Sequence, residues 1–195
     1  IGAAIGLIIT ALTGWPVLAL GIASVLAGYF YTASPFSLAY RGLGEVVVFI
    51  FMGPGIVIGA YYVQIESWAW APFLASLPIG LLVAAILHAN NVRDIESDRR
   101  NNKWTLAALA GRPMADYEYI ALTLGGYAVV VAMTIVGSAP WPVLITLLSL
   151  PIAVRVVRME AEAASSRALN LVLAQTAGLH MIFGDVDALH VPAGE

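Results

Sequence analysis

Apolar stretches long enough to cross a lipid bilayer, parted by short breaks, constrain this chain more than any other feature. They run roughly over 1–13, 16–31, 43–64, 70–89, 117–136, 140–154 and 168–183. A helix needs about 20 mainly apolar residues to cross the ~30 Å hydrocarbon core of a bilayer, and somewhat fewer when partly buried. The breaks carry glycine, proline, charge or tryptophan, as at Gly14-Trp15-Pro16 and Glu66-Ser67-Trp68, and none is long enough to hold a soluble domain. Composition agrees: 61% of residues are hydrophobic and 11% charged, with a mean hydropathy of +0.88, whereas soluble chains are about 25% charged. The fold class expected is therefore an all-α integral membrane bundle of about seven transmembrane helices, with the lipid bilayer as its solvent. There is no cysteine, which excludes a disulfide framework and a thiolate zinc site, so any metal must rest on oxygen or imidazole. The net charge of −3 gives no reason to expect nucleic acid as a partner.

The cations show how the segments alternate. If successive segments reverse direction, all nine lysines and arginines fall on one face: Arg41 in one connection, Arg93, Arg99, Arg100, Lys103 and Arg112 in another, Arg155, Arg158 and Arg167 in a third. The opposite face holds Trp15, Trp68, Trp70 and Trp141 with the acids Glu66, Asp185, Asp187 and Glu195. Basic residues mark the cytoplasmic side and tryptophans the interface, so the expected location is the cell membrane, multi-pass, with the basic connections cytoplasmic. Glycines and prolines inside the spans, such as Gly53-Pro54-Gly55 and Pro78, suit close packing and local kinks.

The longest basic connection, 90–116, opens with His88-Ala89-Asn90-Asn91-Val92-Arg93-Asp94-Ile95-Glu96-Ser97-Asp98. If the helix continues, Asn90, Asp94 and Asp98 are spaced four apart and share a face. Two carboxylates and an amide oxygen there suit Mg²⁺, which takes one or two carboxylates, keeps waters and bridges to phosphates. Arg93, Arg99, Arg100 and Lys103 bring cations near enough to neutralise a diphosphate. Spacing alone leaves open a second reading, a solvated helix end with internal salt bridges. Polar groups near membrane depth are costly and usually functional, which favours the first.

These residues resemble a known family. Asn90-Asn91-x-Arg93-Asp94-x-x-x-Asp98, followed by Lys103-Trp104-Thr105-Leu106-Ala107, resembles the second aspartate-rich motif of the UbiA superfamily of intramembrane prenyltransferases, in the form typical of its 1,4-dihydroxy-2-naphthoate polyprenyltransferase branch. Tyr29-Phe30-Tyr31-Thr32 leading into Tyr40-Arg41-Gly42-Leu43-Gly44-Glu45 is similar to the same branch, as is Leu169-Asn170 through Phe183-Gly184. The resemblance implies a nine-helix bundle around a cavity, with two aspartate-rich loops that bind Mg²⁺ and the diphosphate of a polyprenyl diphosphate donor. An aromatic acceptor, in this branch 1,4-dihydroxy-2-naphthoate for menaquinone biosynthesis, then attacks the allylic cation. By match to the motif, Asp94 and Asp98 are the catalytic metal carboxylates, with Asn90 as a further ligand. Asn91, Arg93, Lys103, Arg41, Tyr31 and Glu45 are the expected substrate-binding residues. Tyr61, Tyr62 and Gln64 fall at the far boundary and read as interfacial anchors; His180 reads as a hydrogen-bonded packing residue.

One departure from the family pattern matters. Upstream of Asn90 the acids are Glu45 and Glu66, so the family's first aspartate-rich run has no counterpart, and the segments correspond to helices three to nine. The chain opens on Ile1 inside an apolar stretch and is expected to be N-terminally incomplete: residues 1–195 form one transmembrane prenyltransferase-like domain, with 90–116 its cytoplasmic aspartate-rich loop. By itself it is expected to be inactive. Two alternatives stay open: a catalytically incomplete structural, pigment- or quinone-binding subunit of a larger membrane complex, and a missing half carried on another polypeptide. Other aromatic acceptors stay open too. An ion-coupled transporter is disfavoured, because Asp94 and Asp98 fall in a loop while coupling sites lie near the midplane.

Overall fold

The computed structural model describes residues 2–188, with side chains through Gly184. Ile1, Glu195 and the side chains of Asp185 and Asp187, placed above on the tryptophan-bearing face, lie outside that description. The described chain is helical almost throughout. Helices α1 (Gly2–Thr13) and α2 (Trp15–Thr32) lead through a 3₁₀ turn (Leu38–Arg41) into α3 (Gly44–Ile50), a π-helical turn (Phe51–Gly55) and α4 (Ile56–Ile65). Then come α5 (Trp70–Arg93), the short α6 (Ile95–Arg100) and α7 (Leu106–Ala110), and α8 (Arg112–Ile135). A 3₁₀ stretch (Trp141–Ser149) runs into α9 (Leu150–Glu162), and α10 (Ser166–Ala188) closes the described chain.

Each apolar stretch read from the sequence is helical, and the structure extends several of them at their polar ends. Among the described residues, five continuous helical segments are long and apolar enough to cross a membrane: 15–32, 44–65, 70–93, 112–135 and 141–162. Helix α1 is apolar but shorter, and α10 carries Arg167, Asn170, Gln175 and His180 along its length. The span 44–65 contains Pro54, whose missing N–H cannot close a helical hydrogen bond. The backbone passes it in the π-helical turn, a common solution at such interruptions.

Helix α5 is the axis of the bundle, touching α3, α4, α7, α8 and α10. Its contact with the α3–α4 span depends on missing side chains. A Cβ on Gly53 would lie 2.6 Å from Gly80 Cα, and one on Gly80 would lie 2.9 Å from the Phe49 ring. Lipid offers no hydrophobic drive between helices, so such close backbone approach supplies association by dispersion contacts. Around α5 the core forms three layers. Leu82 packs with Tyr127, Val130, Leu179 and Phe183; Ala85 and Ala89 with Tyr119, Val156 and Val172; Val92 with Ile95, Ala107, Ala115 and Leu169. Buried hydroxyls within these layers pair with one another, Tyr119 with Thr176 at 2.6 Å and Tyr127 with Ser149 at 2.7 Å. Helices α1 and α2 bury no residue and present apolar side chains outward, as a lipid-facing surface does.

The basic ends of the spans converge. Arg93 Nη1 donates to Asn170 Oδ1 at 2.8 Å, joining the end of α5 to the start of α10. Arg112 at the start of α8 donates to the carbonyls of Glu160 and Ala163 at the end of α9. Trp104 N–H donates to Tyr40 O at 3.2 Å, bringing the α6–α7 connection against the turn before α3. At the other end Trp68 and Trp70 meet edge to face, with Phe73 beside them.

Candidate functional site

Helix α5 does not run unbroken through the acidic run. It ends at Arg93, and Asp94 leaves helical geometry at φ −101° and ψ 6° before α6 begins at Ile95. Spacing of four nevertheless survives, because Asp94 N–H still reaches Asn90 O at 3.2 Å and Asp98 N–H reaches Asp94 O at 2.8 Å. The two carboxylates therefore follow one another by a turn, but the unbroken helix on which the sequence reading placed them is interrupted at Asp94.

Both are already held by cations. The Arg93 guanidinium grips Asp94 with two bonds, Nε to Oδ1 at 2.8 Å and Nη2 to Oδ2 at 2.6 Å. Lys103 Nζ lies 3.0 Å from Asp98 Oδ2, and Lys103 N–H closes the turn on Asp98 O at 2.8 Å. The N-cap of α7 follows at once, with Thr105 Oγ1 accepting from Ala108 N–H at 3.1 Å, a cap that anchors the segment bearing Lys103.

Beside this run is a cavity of about 300 Å³ whose wall includes Tyr31, Tyr40, Gly44, Asn90, Asn91 and Lys103. Four of the sequence candidates, Tyr31, Asn90, Asn91 and Lys103, thus share one space. Asp98 is linked to it through Lys103, whereas Asp94, held by the Arg93 that also bonds Asn170 of α10, is not part of its wall. Arg41 points elsewhere: its Nη2 donates to Pro35 O at 2.9 Å and it is exposed. Glu45 is 4% exposed and works from beneath the wall, where its Oε1 accepts from Asn91 Nδ2 at 2.8 Å. With Nδ2 so engaged, the amide oxygen of Asn91 is the group left to meet a ligand. His180, expected to be hydrogen-bonded, has no partner for Nε2 among the described residues.

The donor set fits a hard cation. Asn90, Asp94 and Asp98 offer only oxygens at one end of the bundle, the chemistry that Mg²⁺ selects, and the neighbouring Arg93 and Lys103 can exchange their carboxylate partners for phosphate oxygens.

Sequence reasoning missed the groups behind the wall. His88 is fully buried, its Nδ1 3.2 Å from Glu45 Oε1 and 3.7 Å from Glu118 Oε2, and its Nε2 bonds Ala115 O at 2.9 Å. The available signal was an ionisable residue inside an apolar span, which is functional by default. The Arg112–Asp116–Glu160 cluster joining α8 to α9 was missed too, because its members fall in two separate connections whose approach the sequence does not show.

Comparison with known proteins follows this geometry. A model of the UbiA prenyltransferase family matches residues 1–175. Similar proteins include the 1,4-dihydroxy-2-naphthoate octaprenyltransferase of Bacillus subtilis, 33% identical over 92% of this chain and 58% of the relative. That of Mycobacterium tuberculosis is 32% identical over 93% of this chain and 61% of the relative. A 2-carboxy-1,4-naphthoquinone phytyltransferase of Synechocystis is 31% identical over 74% of this chain and 47% of the relative. The chain therefore spans about three fifths of the first two relatives and about half of the third.

Proposed function

From the chain's membership of the UbiA prenyltransferase family, we propose that this integral membrane protein transfers a polyprenyl group from a polyprenyl diphosphate to an aromatic acceptor, 1,4-dihydroxy-2-naphthoate, in menaquinone biosynthesis. The observation that carries this reading is the single cavity shared by Tyr31, Asn90, Asn91 and Lys103, whose Lys103 pairs with the Asp98 carboxylate. The names of the Bacillus and Mycobacterium relatives support the choice of acceptor.

In this reading Asn90, Asp94 and Asp98 hold Mg²⁺, which when bound would neutralise charge developing on the departing diphosphate. Lys103 and Arg93 leave their aspartate partners for diphosphate oxygens, and Arg41 adds positive charge at the mouth. Preorganised charge from Lys103 and Arg93 stabilises the leaving group as the allylic C–O bond breaks and its electron pair departs with the diphosphate. Arg41 is turned away to Pro35 O and must swing in before it contributes. Tyr31 and the apolar wall, Leu87 among it, shield the allylic carbon from water. The acceptor's ring carbon forms the new C–C bond, and its carboxylate leaves as CO₂, returning the electron pair to the ring. Glu45 fixes the Asn91 amide. Residues 1–195 act as one domain, 90–116 its aspartate-rich loop, and the basic end faces the cytoplasm of the cell membrane.

The test is conversion of 1,4-dihydroxy-2-naphthoate and a polyprenyl diphosphate to the prenylated quinol by membranes containing the intact, full-length protein. Product should form only with Mg²⁺ present. Purified full-length protein that carries the first aspartate-rich run, which residues 1–195 lack, and is inactive with every aromatic acceptor would reject the transferase reading and favour a pigment- or quinone-binding subunit.

A further inference from the structure

Beneath the cavity wall three side chains from three helices aim at one point. Glu45 comes from the first turn of α3, His88 from the last turns of α5, and Glu118 from the second turn of α8. One ligand atom from each lies within 4.8 Å of the others. The Ala115 carbonyl can only accept, so the His88 nitrogen bonded to it, Nε2, carries a proton. Nδ1 is then the nitrogen turned towards the two carboxylates.

Hydrogen bonding alone leaves this cluster unbalanced. A protonated Nδ1 serves Glu45 Oε1 at 3.2 Å, but Glu118 Oε2 at 3.7 Å is beyond hydrogen-bond reach. Glu45 is 4% exposed, yet its Oε2 has no hydrogen-bond partner among the described residues. Two carboxylates against one imidazolium also leave a negative charge in excess beside the buried Glu45 and His88, where burial makes charge expensive. A dication with neutral His88 would match both carboxylates and engage the orphaned oxygen.

We propose that Glu45, His88 and Glu118 form a binding site for a divalent transition-metal ion of the Zn²⁺ type. Imidazole selects such ions over Mg²⁺, which separates this site from the all-oxygen set of Asn90, Asp94 and Asp98. Tetrahedral ligands about 2.0–2.2 Å from Zn²⁺ lie about 3.3–3.6 Å apart. The two edges from Nδ1, to Glu45 Oε1 and Glu118 Oε2, are 3.2 and 3.7 Å, and the carboxylates lie within 4.8 Å of each other, so a small closing movement completes the set. The second shell is present as well. Ala115 O orients the imidazole, and Asn91 Nδ2 donates to the Glu45 carboxylate, the supporting bonds that metal ligands require. Glu118, 27% exposed, leaves one side open for the ion to arrive. The ion would tie α3, α5 and α8 together directly under Asn91. This inference does not rest on the transferase reading.

The experiment measures retained metal. Tag-free protein in detergent is stripped with chelator, incubated with Zn²⁺, desalted and analysed by elemental mass spectrometry. Wild type should keep one equivalent, and Zn²⁺ should raise its thermal unfolding midpoint. Glu118→Gln, at the partly exposed ligand, and His88→Gln should lower retention by roughly tenfold or more. The Asp94→Asn/Asp98→Asn double variant should retain the ion. Elution profile and unfolding midpoint without Zn²⁺ identify any variant that fails to fold, and Glu118→Gln carries the test if His88→Gln does. Wild type that keeps no Zn²⁺ would overturn the proposal. So would full retention by folded Glu118→Gln, or loss confined to the aspartate variant.

Discussion

Asn91 and Glu45, 46 positions apart in the sequence, share a buried hydrogen bond of 2.8 Å from Nδ2 to Oε1. It joins α5 to α3 behind the cavity wall, and the same oxygen faces His88 Nδ1. Glu45→Ala would strand polar groups on Asn91 and His88 that are 2% and 0% exposed. Each orphaned group costs about 1–3 kcal/mol, so a clear fall in the thermal unfolding midpoint is expected. Glu45→Gln keeps an acceptor oxygen and should fall less. Equal midpoints for Glu45→Ala and wild type would contradict the arrangement.

The Lys103–Asp98 contact of 3.0 Å has a functional consequence. Asp98→Ala releases Lys103 and removes a proposed metal ligand, and Asp94→Ala does the same for Arg93. Prenyl transfer should drop by about 10²-fold or more in each, the scale of losing one preorganised electrostatic group, with more Mg²⁺ needed for half-maximal rate. Full activity at unchanged Mg²⁺ demand in either variant would remove the metal assignment.

Arg112 holds α8 to α9. It pairs with Asp116 in its own helix, donates to the carbonyls of Glu160 and Ala163, and lies 3.4 Å from Glu160 Oε1. Glu160 is completely buried, and neither of its carboxylate oxygens has a hydrogen bond among the described residues. Arg112→Ala leaves that buried carboxylate without its cation, which is destabilising, although the one-third exposure of Arg112 screens part of the effect. Glu160→Gln in the same chain should recover part of the loss. A double-mutant cycle by thermal unfolding checks this, and simple additivity would show that the two residues do not interact.

Orientation can be tested directly because the chain has no cysteine. Single cysteines at the exposed positions Asn101 and Ser165 mark the basic end, and at Ser67 and Ser138 the tryptophan-bearing end. With the basic end cytoplasmic, a membrane-impermeant thiol reagent should label Ser67→Cys and Ser138→Cys in intact cells. Asn101→Cys and Ser165→Cys should react only after permeabilisation. The reverse pattern would invert the topology.

The helical spans were legible in the sequence because lipid leaves a backbone little choice. Its polar groups must bond within the segment, so a long apolar stretch specifies a helix with no knowledge of its neighbours. The gathering of cations at one end was legible too, since alternation along the chain is one-dimensional information. For the same reason the Asn90–Asp98 run stood out: its residues are local, and the spacing of four survives even where α5 stops at Arg93.

What the sequence could not show is which residues from different spans meet. Glu45, His88 and Glu118 belong to three helices, and Arg112 and Glu160 to two. Their contacts depend on each helix's rotation about its axis, fixed by packing such as the Gly53–Gly80 approach. Tertiary structure also decided that Asp94 and Asp98 are already paired with Arg93 and Lys103, and that Glu45 braces Asn91 from behind. In the sequence these were polar residues scattered along the chain; only the folded bundle, by packing its helices against one another, brings them face to face.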